Sequence, residues 1–228
     1  MSRHLKLSKT PTSWPVERKK TVFITKPLPG PHSISFGMPL DLLLKDLGHA
    51  QTKKEIKQIL NTKEIIIDGR RIKESKFPIG LFDTISIPAQ NQHFRITFDK
   101  QGKIAKIPIQ KEETTKKISK VIGKTSLKKG KLQLNLSDGR NILTTDKTIS
   151  VGDTLLIEVP TQKIQQHFKL EKGALIYLVD GKHVNDTGKI DEIKNETITY
   201  TNNTNQKVQT LKEYAYVIGK EKPAIKIP

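Results

Sequence analysis

The stretch TKKEIKQILNTKEIIIDGRR, Thr52 to Arg71, packs a helix, a strand and a turn into twenty residues. Thr52 and Glu55 have the spacing of a capping box, in which hydroxyl and carboxylate each satisfy a first-turn backbone amide. Ile56, Ile59 and Leu60 then recur at i, i+3, i+4, which predicts a helix with one apolar face. Lys53, Lys54 and Lys57 occupy the opposite face. Ile65, Ile66 and Ile67 begin a strand, and Asp68-Gly69 predicts a tight type I′ hairpin that returns through Arg70, Arg71 and Ile72.

Outward from this stretch the same unit continues in both directions. Pro39-Leu40-Asp41-Leu42-Leu43-Leu44 predicts a short amphipathic helix ending near Gly48. Thr84 to Ile87 reads as a strand stopped by Pro88. Residues 40–90 thus form a small α/β unit.

Residues 1–39 behave differently. They hold prolines at 11, 15, 27, 29, 31 and 39, the single Trp14, and a net charge of +6. Proline keeps such a segment extended, and its apolar content cannot offset its own ordering entropy. The segment is expected to be ordered by lying on something else, as a stiffened thread for a polyanion. Trp14 has two readings, a ring that stacks on a base or a pin that holds the extension to its own domain.

From about His93 to Pro160 the chain reads as short strands with turns at Gln101-Gly102, Lys129-Gly130 and Asp138-Gly139. Leu132, Leu134 and Leu136 alternate with polar residues, as a half-buried strand requires. Glu112 to Val121 is expected to form one short helix. From Thr161 onward, short apolar runs separated by Gly173, Gly181 and Gly188 suggest a small five-stranded barrel, closed by Tyr214 to Gly219. There is also an internal echo: Asp68-Gly69-Arg70 with Asp83-Thr84 recurs 70 residues later as Asp138-Gly139-Arg140 with Asp153-Thr154. The expected boundaries are 1–39, 40–90, 91–162 and 163–228, and the four regions carry +6, +2, +7 and +3.

A net charge of +18 across 228 residues destabilises a compact chain by self-repulsion, and a polyanionic partner relieves it. Most of the cations are lysine, which neutralises phosphate as a point charge, whereas arginine is the better reader of bases. Recognition of nucleic-acid backbone and shape is therefore expected first, and an anionic membrane surface second. Cysteine is absent, which excludes disulfides and thiolate chemistry. The six histidines are scattered with no metal-binding spacing, and no phosphate-binding glycine loop or nucleophile elbow occurs. Asp68, Asp83 and Asp153 read as turn residues that bond nearby amides. No enzyme activity, cofactor, metal or small-molecule substrate is expected. No apolar run is long enough to span a bilayer, and no signal peptide is visible, so a soluble intracellular protein is expected.

The segments HLKLSKTPTSWPVERKK (from His4), PLPGPHS (from Pro27) and the Asp68-Gly69-Arg70 hairpin followed by KFPIGLFDTISI resemble the e-type small-subunit ribosomal protein family "S four e" of archaea and eukaryotes. FKLEKGALIYLVDGKHVNDTGKIDEI, from Phe168, resembles that family's KOW motif, and EYAYVIGKEKPAIKIP its C-terminal signature. The resemblance runs the length of the chain. It implies a mostly β, multi-domain α+β protein with a basic extension, an S-four-type RNA-binding domain, a central β domain and a C-terminal KOW (SH3-like) barrel. It also implies a cytoplasmic, ribosome-bound structural constituent of the small subunit, present once per subunit. Its partners would be small-subunit ribosomal RNA and neighbouring ribosomal proteins, without a membrane. The alternative is an extra-ribosomal KOW-containing RNA-binding or transcription factor. The family's KOW loop carries a glycine between the positions of Gly181 and Gly188; here Val184, Asn185 and Asp186 stand there, and Asn185 is the residue suited to a left-handed backbone.

The RNA-contact candidates in the extension are Arg3, His4, Lys6, Lys9, Trp14, Arg18, Lys19, Lys20, Lys26 and His32. In the α/β unit they are Lys53, Lys54, Lys57, Arg70, Arg71 and Lys73. In the central region they are Lys116, Lys117, Lys120, Lys128, Lys129 and Lys131.

Overall fold

The computed structural model describes residues 4–19 and 21–227, with Lys129 by its backbone alone. Arg3 and Lys20 lie outside the described residues. The chain divides into two compact units, one made of residues 1–98 and 103–114, the other of 99–102 and 115–228.

The first unit begins with a two-stranded ribbon of β1 (Leu5–Lys6) and β2 (Phe23–Ile24). β3 (Gly37–Pro39) leads directly into helix α1 (Leu40–Asp46), and α2 (Lys53–Thr62) follows. Thr52 Oγ1 accepts from Glu55 N, and the Glu55 carboxylate returns the bond to the Thr52 and Gln51 amides, so the capping box forms. Those bonds lower the Glu55 pKa. Ile56 and Leu60 are buried, as their period requires.

Next come β4 (Ile66–Ile67), β5 (Arg70–Arg71), β6 (Pro78–Gly80) and β7 (Thr84–Ile87). Asp68 and Gly69 have φ of 48° and 75°, both left-handed, as a type I′ turn demands. β8 (Gln92–Phe98) and β9 (Ile104–Pro108) extend the sheet, whose antiparallel order is β5-β4-β7-β8-β9. The expected boundary at residue 90 therefore falls at a turn between two paired strands, Thr84 opposite Arg95 and Ile87 opposite Gln92.

The basic extension is not a free thread. Leu7 is buried and Trp14 is only 1% exposed. The Trp14 indole Nε1 donates to the Gly37 carbonyl at 2.9 Å and to the Ile34 carbonyl at 3.2 Å. Ile104 N donates to the Ser13 carbonyl at 2.7 Å, which ties the extension to the start of β9. Prolines remove donors and fix φ, while the few side chains that can pack do so on the extension's own unit.

The second unit contains two five-stranded antiparallel sheets. The first is built from β10 (Lys116–Ser126), β11 (Leu132–Leu136), β12 (Asn141–Thr144), β13 (Thr154–Glu158) and β14 (Lys163–Phe168), in the order β12-β11-β10-β13-β14. Its core joins Val121, Leu134, Leu136, Ile142, Ile149, Leu155, Ile157 and Val159. The helix expected over Glu112 to Val121 is a correction. Lys111–Thr115 makes a 3-10 turn, and Lys116 onward is the central strand of this sheet. Ile118 and Val121, three apart, suit a helical face, and in the strand they fall on opposite faces. Pairing on both edges, with β11 and β13, decides for strand.

The other sheet comprises β15 (Leu175–Leu178), β16 (Thr187–Lys194), β17 (Thr197–Asn202), β18 (Lys207–Leu211) and β19 (Ala215–Gly219), ordered β18-β17-β16-β15-β19. Ile176, Leu178, Ile190, Ile198, Tyr200 and Val217 form its core.

The internal echo is structural as well as sequential. Asp83 Oδ2 accepts from Gly80 N at 2.9 Å, and Asp153 Oδ2 accepts from Ser150 N at 2.9 Å. The residues just before each aspartate, Phe82 and Gly152, both have positive φ, 62° and 100°. Each aspartate also meets a histidine Nε2, His32 at 2.9 Å and His167 at 2.7 Å. The turn reading of these aspartates therefore holds for Asp83 and Asp153, while Asp68 reaches across to the Thr84 amide at 3.0 Å.

Candidate nucleic-acid interface

In the first unit, α2 presents Lys53, Lys54 and Lys57 to solvent while Ile56 and Leu60 face inward. Lys53, Lys57 and Asn61 are spaced i, i+4, i+8 and so line one face of the helix. At the end of that line the Arg71 Nη2 donates to the Asn61 carbonyl at 3.3 Å. The bond brings the exposed Arg71 against the helix, so it continues the lysine face; Arg70 and Lys73, on the same hairpin, are exposed as well.

On the extension, His4, Lys6, Lys9 and Lys19 are exposed. Arg18 is exposed too, but its guanidinium donates to the Thr10 carbonyl at 3.0 Å, to Thr10 Oγ1 at 3.1 Å and to the Pro11 carbonyl at 2.7 Å. It closes the Thr10–Arg18 loop, which Lys9 and Lys19 flank, and keeps its charge at the surface. Lys26 is half-buried.

Two residues of the extension are corrected as contacts. Trp14 is enclosed and its N–H is satisfied within the unit, so its ring is not offered to a base. His32 has a side chain 4% exposed and paired with Asp83, so it clamps the Pro27–His32 turn to the domain.

In the second unit, Lys128 and Lys131 are exposed at the turn between β10 and β11, whose backbone also includes Lys129. Lys116 is half-buried. Lys117 and Lys120 are corrections. Lys117 is 1% exposed, with Nζ 3.3 Å from Asp138 Oδ2. Lys120 is 6% exposed, and its ammonium donates to the Lys212, Glu213 and Ala215 carbonyls at 2.8, 2.9 and 2.9 Å while lying over the Tyr216 ring. Burial, reinforced by the Lys212 cation, pushes its pKa down to about 8 against a weaker opposing pull from Glu213. Neither ammonium can reach a phosphate without breaking the fold.

Family models match two parts of the chain: one described as ribosomal family S4e over residues 90–164, and one described as the RS4NT (NUC023) domain over residues 1–35. The small ribosomal subunit protein eS4 of Methanosphaera stadtmanae is 40% identical over 231 residues, covering 99% of this chain and 95% of the relative. The chain belongs to the eS4 family. The eS4 protein of Methanocaldococcus jannaschii is also 40% identical, with 99% and 97% covered. The crystal structure of the 30S ribosomal protein S4e from Thermoplasma acidophilum superposes with a TM-score of 0.71 at 29% identity, covering 81% of this chain and 96% of that one. The eS4 relatives are small-subunit ribosomal proteins of archaeal type, and the mostly β architecture here agrees with the solved eS4-family structure. No described helix is long and apolar enough to cross a membrane.

The eS4-family chain also has a surface feature that its charge pattern does not reveal. Phe23 is 55% exposed on the ribbon of the extension, its ring 5.7 Å from that of His4. An apolar residue within a Val-Phe-Ile run reads as core, and only the strand register shows it facing outward.

Proposed function

We propose that this chain is a structural constituent of the small ribosomal subunit that binds and stabilises small-subunit ribosomal RNA in the cytoplasm, one copy per subunit. The observation that carries the reading is the basic surface joined by the Arg71–Asn61 bond, where Lys53, Lys54, Lys57, Arg70 and Arg71 stand exposed on rigid elements. Cations on a rigid backbone lose only side-chain freedom on meeting phosphate, and the released counterions drive association. Lys6, Lys9, Arg18 and Lys19 extend the contact along the arm, and Lys128 and Lys131 supply a further site. The arm, S-four-type domain, central domain and KOW module follow one another along the chain, with the β7–β8 and β13–β14 pairs carrying the second and third past the expected bounds at 90 and 162.

Supporting the KOW assignment, Asn185 has a φ of 68° and its amide donates to the Leu178 carbonyl at 2.9 Å. Asparagine thus supplies the left-handed position at which the family uses glycine. Neighbouring ribosomal proteins are the partners expected for this module.

Co-sedimentation tests the proposal. Stoichiometric protein in salt-washed small subunits is the expected result. Protein found free or bound to RNA polymerase would reject it in favour of an extra-ribosomal factor.

A further inference from the structure

The ribbon of β1 and β2 carries a surface that the charge pattern does not explain. Lys6 and Phe23 are direct cross-strand partners, and Leu5 pairs with Ile24. Directly opposed residues of an antiparallel pair project to the same face, and residues two apart along a strand share a face. His4, Lys6 and Phe23 therefore share one face, and all three are exposed; Leu5 and Ile24 take the other face and are half-buried.

A phenylalanine on an outward face leaves apolar area in water, and its neighbours specify what covers it. Lys6 stands directly across the ribbon, and the described residues 4–19 add Lys9, Arg18 and Lys19 against a single acid, Glu17. A wholly apolar partner would have to desolvate the Lys6 ammonium paired across from the ring. A nucleotide does not, since its base has a flat π-face for the ring and its phosphates meet the ammonium groups. The His4 ring, tilted 53° to that of Phe23 at 5.7 Å, backs the platform on one side.

We propose that Phe23 is a base-stacking platform, backed by His4, that takes an unpaired nucleobase of the small-subunit ribosomal RNA while Lys6 holds an adjacent phosphate. The inference rests on the RNA-binding role proposed above and adds a residue and a mode of contact to it. It also transfers the stacking role from Trp14, which is enclosed, to Phe23, which is open.

The test uses the full chain and two polyanions, small-subunit ribosomal RNA and inorganic polyphosphate, which has charge but no bases. Phe23→Ala and Phe23→Leu are expected to bind the ribosomal RNA about five- to a hundredfold more weakly and polyphosphate as wild type does, because stacking on one base is lost. Phe23→Trp is expected to retain RNA affinity, and its new indole emission is expected to be quenched by RNA. The native Trp14, being 1% exposed, gives no such quenching. Lys6→Glu is expected to weaken binding to both polymers. Thermal unfolding separates a binding defect from a folding defect, and Phe23→Leu preserves the apolar packing if Phe23→Ala disturbs the ribbon. Wild-type RNA affinity in both Phe23→Ala and Phe23→Leu overturns the platform and leaves the RNA-binding role standing. A wild-type chain that binds ribosomal RNA no better than polyphosphate overturns both.

Discussion

His32 Nε2 lies 2.9 Å from Asp83 Oδ1, and both side chains are almost wholly buried. The pair joins the proline-rich turn of the extension to the turn before β7, and the other Asp83 oxygen holds the Gly80 amide. Gly80 makes room for the clamp, since a Cβ there would sit 2.4 Å from His32 Cγ. His32→Ala and Gly80→Ala are each expected to destabilise the first unit by about 1–3 kcal/mol, because each breaks the buried His32–Asp83 bond. Combining them should cost little more than either alone, since both remove the same interaction. Urea midpoints of the two single variants and the double variant check this. Simple additivity would show that His32 and Gly80 act independently.

Trp14 makes the extension part of the fold. Trp14→Ala is expected to cost roughly 3–5 kcal/mol through the cavity it leaves. Trp14→Phe removes the donor shared by the Ile34 and Gly37 carbonyls and should cost about 1 kcal/mol. Deleting residues 2–20 should accordingly lower the thermal midpoint as well as weaken RNA binding. An unchanged midpoint would show that the extension is a free arm after all.

Lys120 gives the second unit a pH signature. Its folded pKa of about 8 lies below the ordinary lysine value of 10.5, so between these limits the unfolded chain holds the proton more tightly. The contribution of Lys120 to stability should therefore rise as pH increases from 8 to 10.5 and level off above that. The rise should be on the order of 1–3 kcal/mol. Denaturant unfolding of wild type and Lys120→Met from pH 7 to 10.5 isolates the effect, since groups common to both cancel. A stability difference independent of pH would contradict the burial argument.

Surface and buried lysines should separate cleanly in RNA binding. Lys53, Lys54 and Arg70 changed together to glutamate are expected to impair subunit incorporation with circular dichroism unchanged. The salt slope should fall by about one for each phosphate that is no longer neutralised. Lys117→Met is expected to lower stability and leave that slope alone, because its charge is already committed to Asp138. Normal incorporation of the triple variant would reduce the helix face to ordinary solvated surface.

What the sequence made legible was local. The Thr52–Glu55 cap, the Asp68-Gly69 turn and the alternating Leu132, Leu134 and Leu136 depend on near neighbours, and each forms as its pattern predicts. The residues that the sequence does not reveal depend on distant ones. Lys120 is buried because three carbonyls from Lys212 to Ala215 surround it, and His32 because Asp83 meets it. A lysine in a basic region carries no local sign that its partners lie far along the chain. Glu112 to Val121 illustrates the same limit, since the strand state from Lys116 onward comes from ladders on both edges. Phe23 illustrates the converse, an apolar residue that its register turns outward.

The dependence of ribosomal RNA binding on potassium chloride tests the electrostatic account most directly. With about six neutralised phosphates, log affinity should fall against log salt with a slope of roughly −4 to −5. A slope near zero, with binding intact, would mean that something other than phosphate neutralisation holds this chain to RNA.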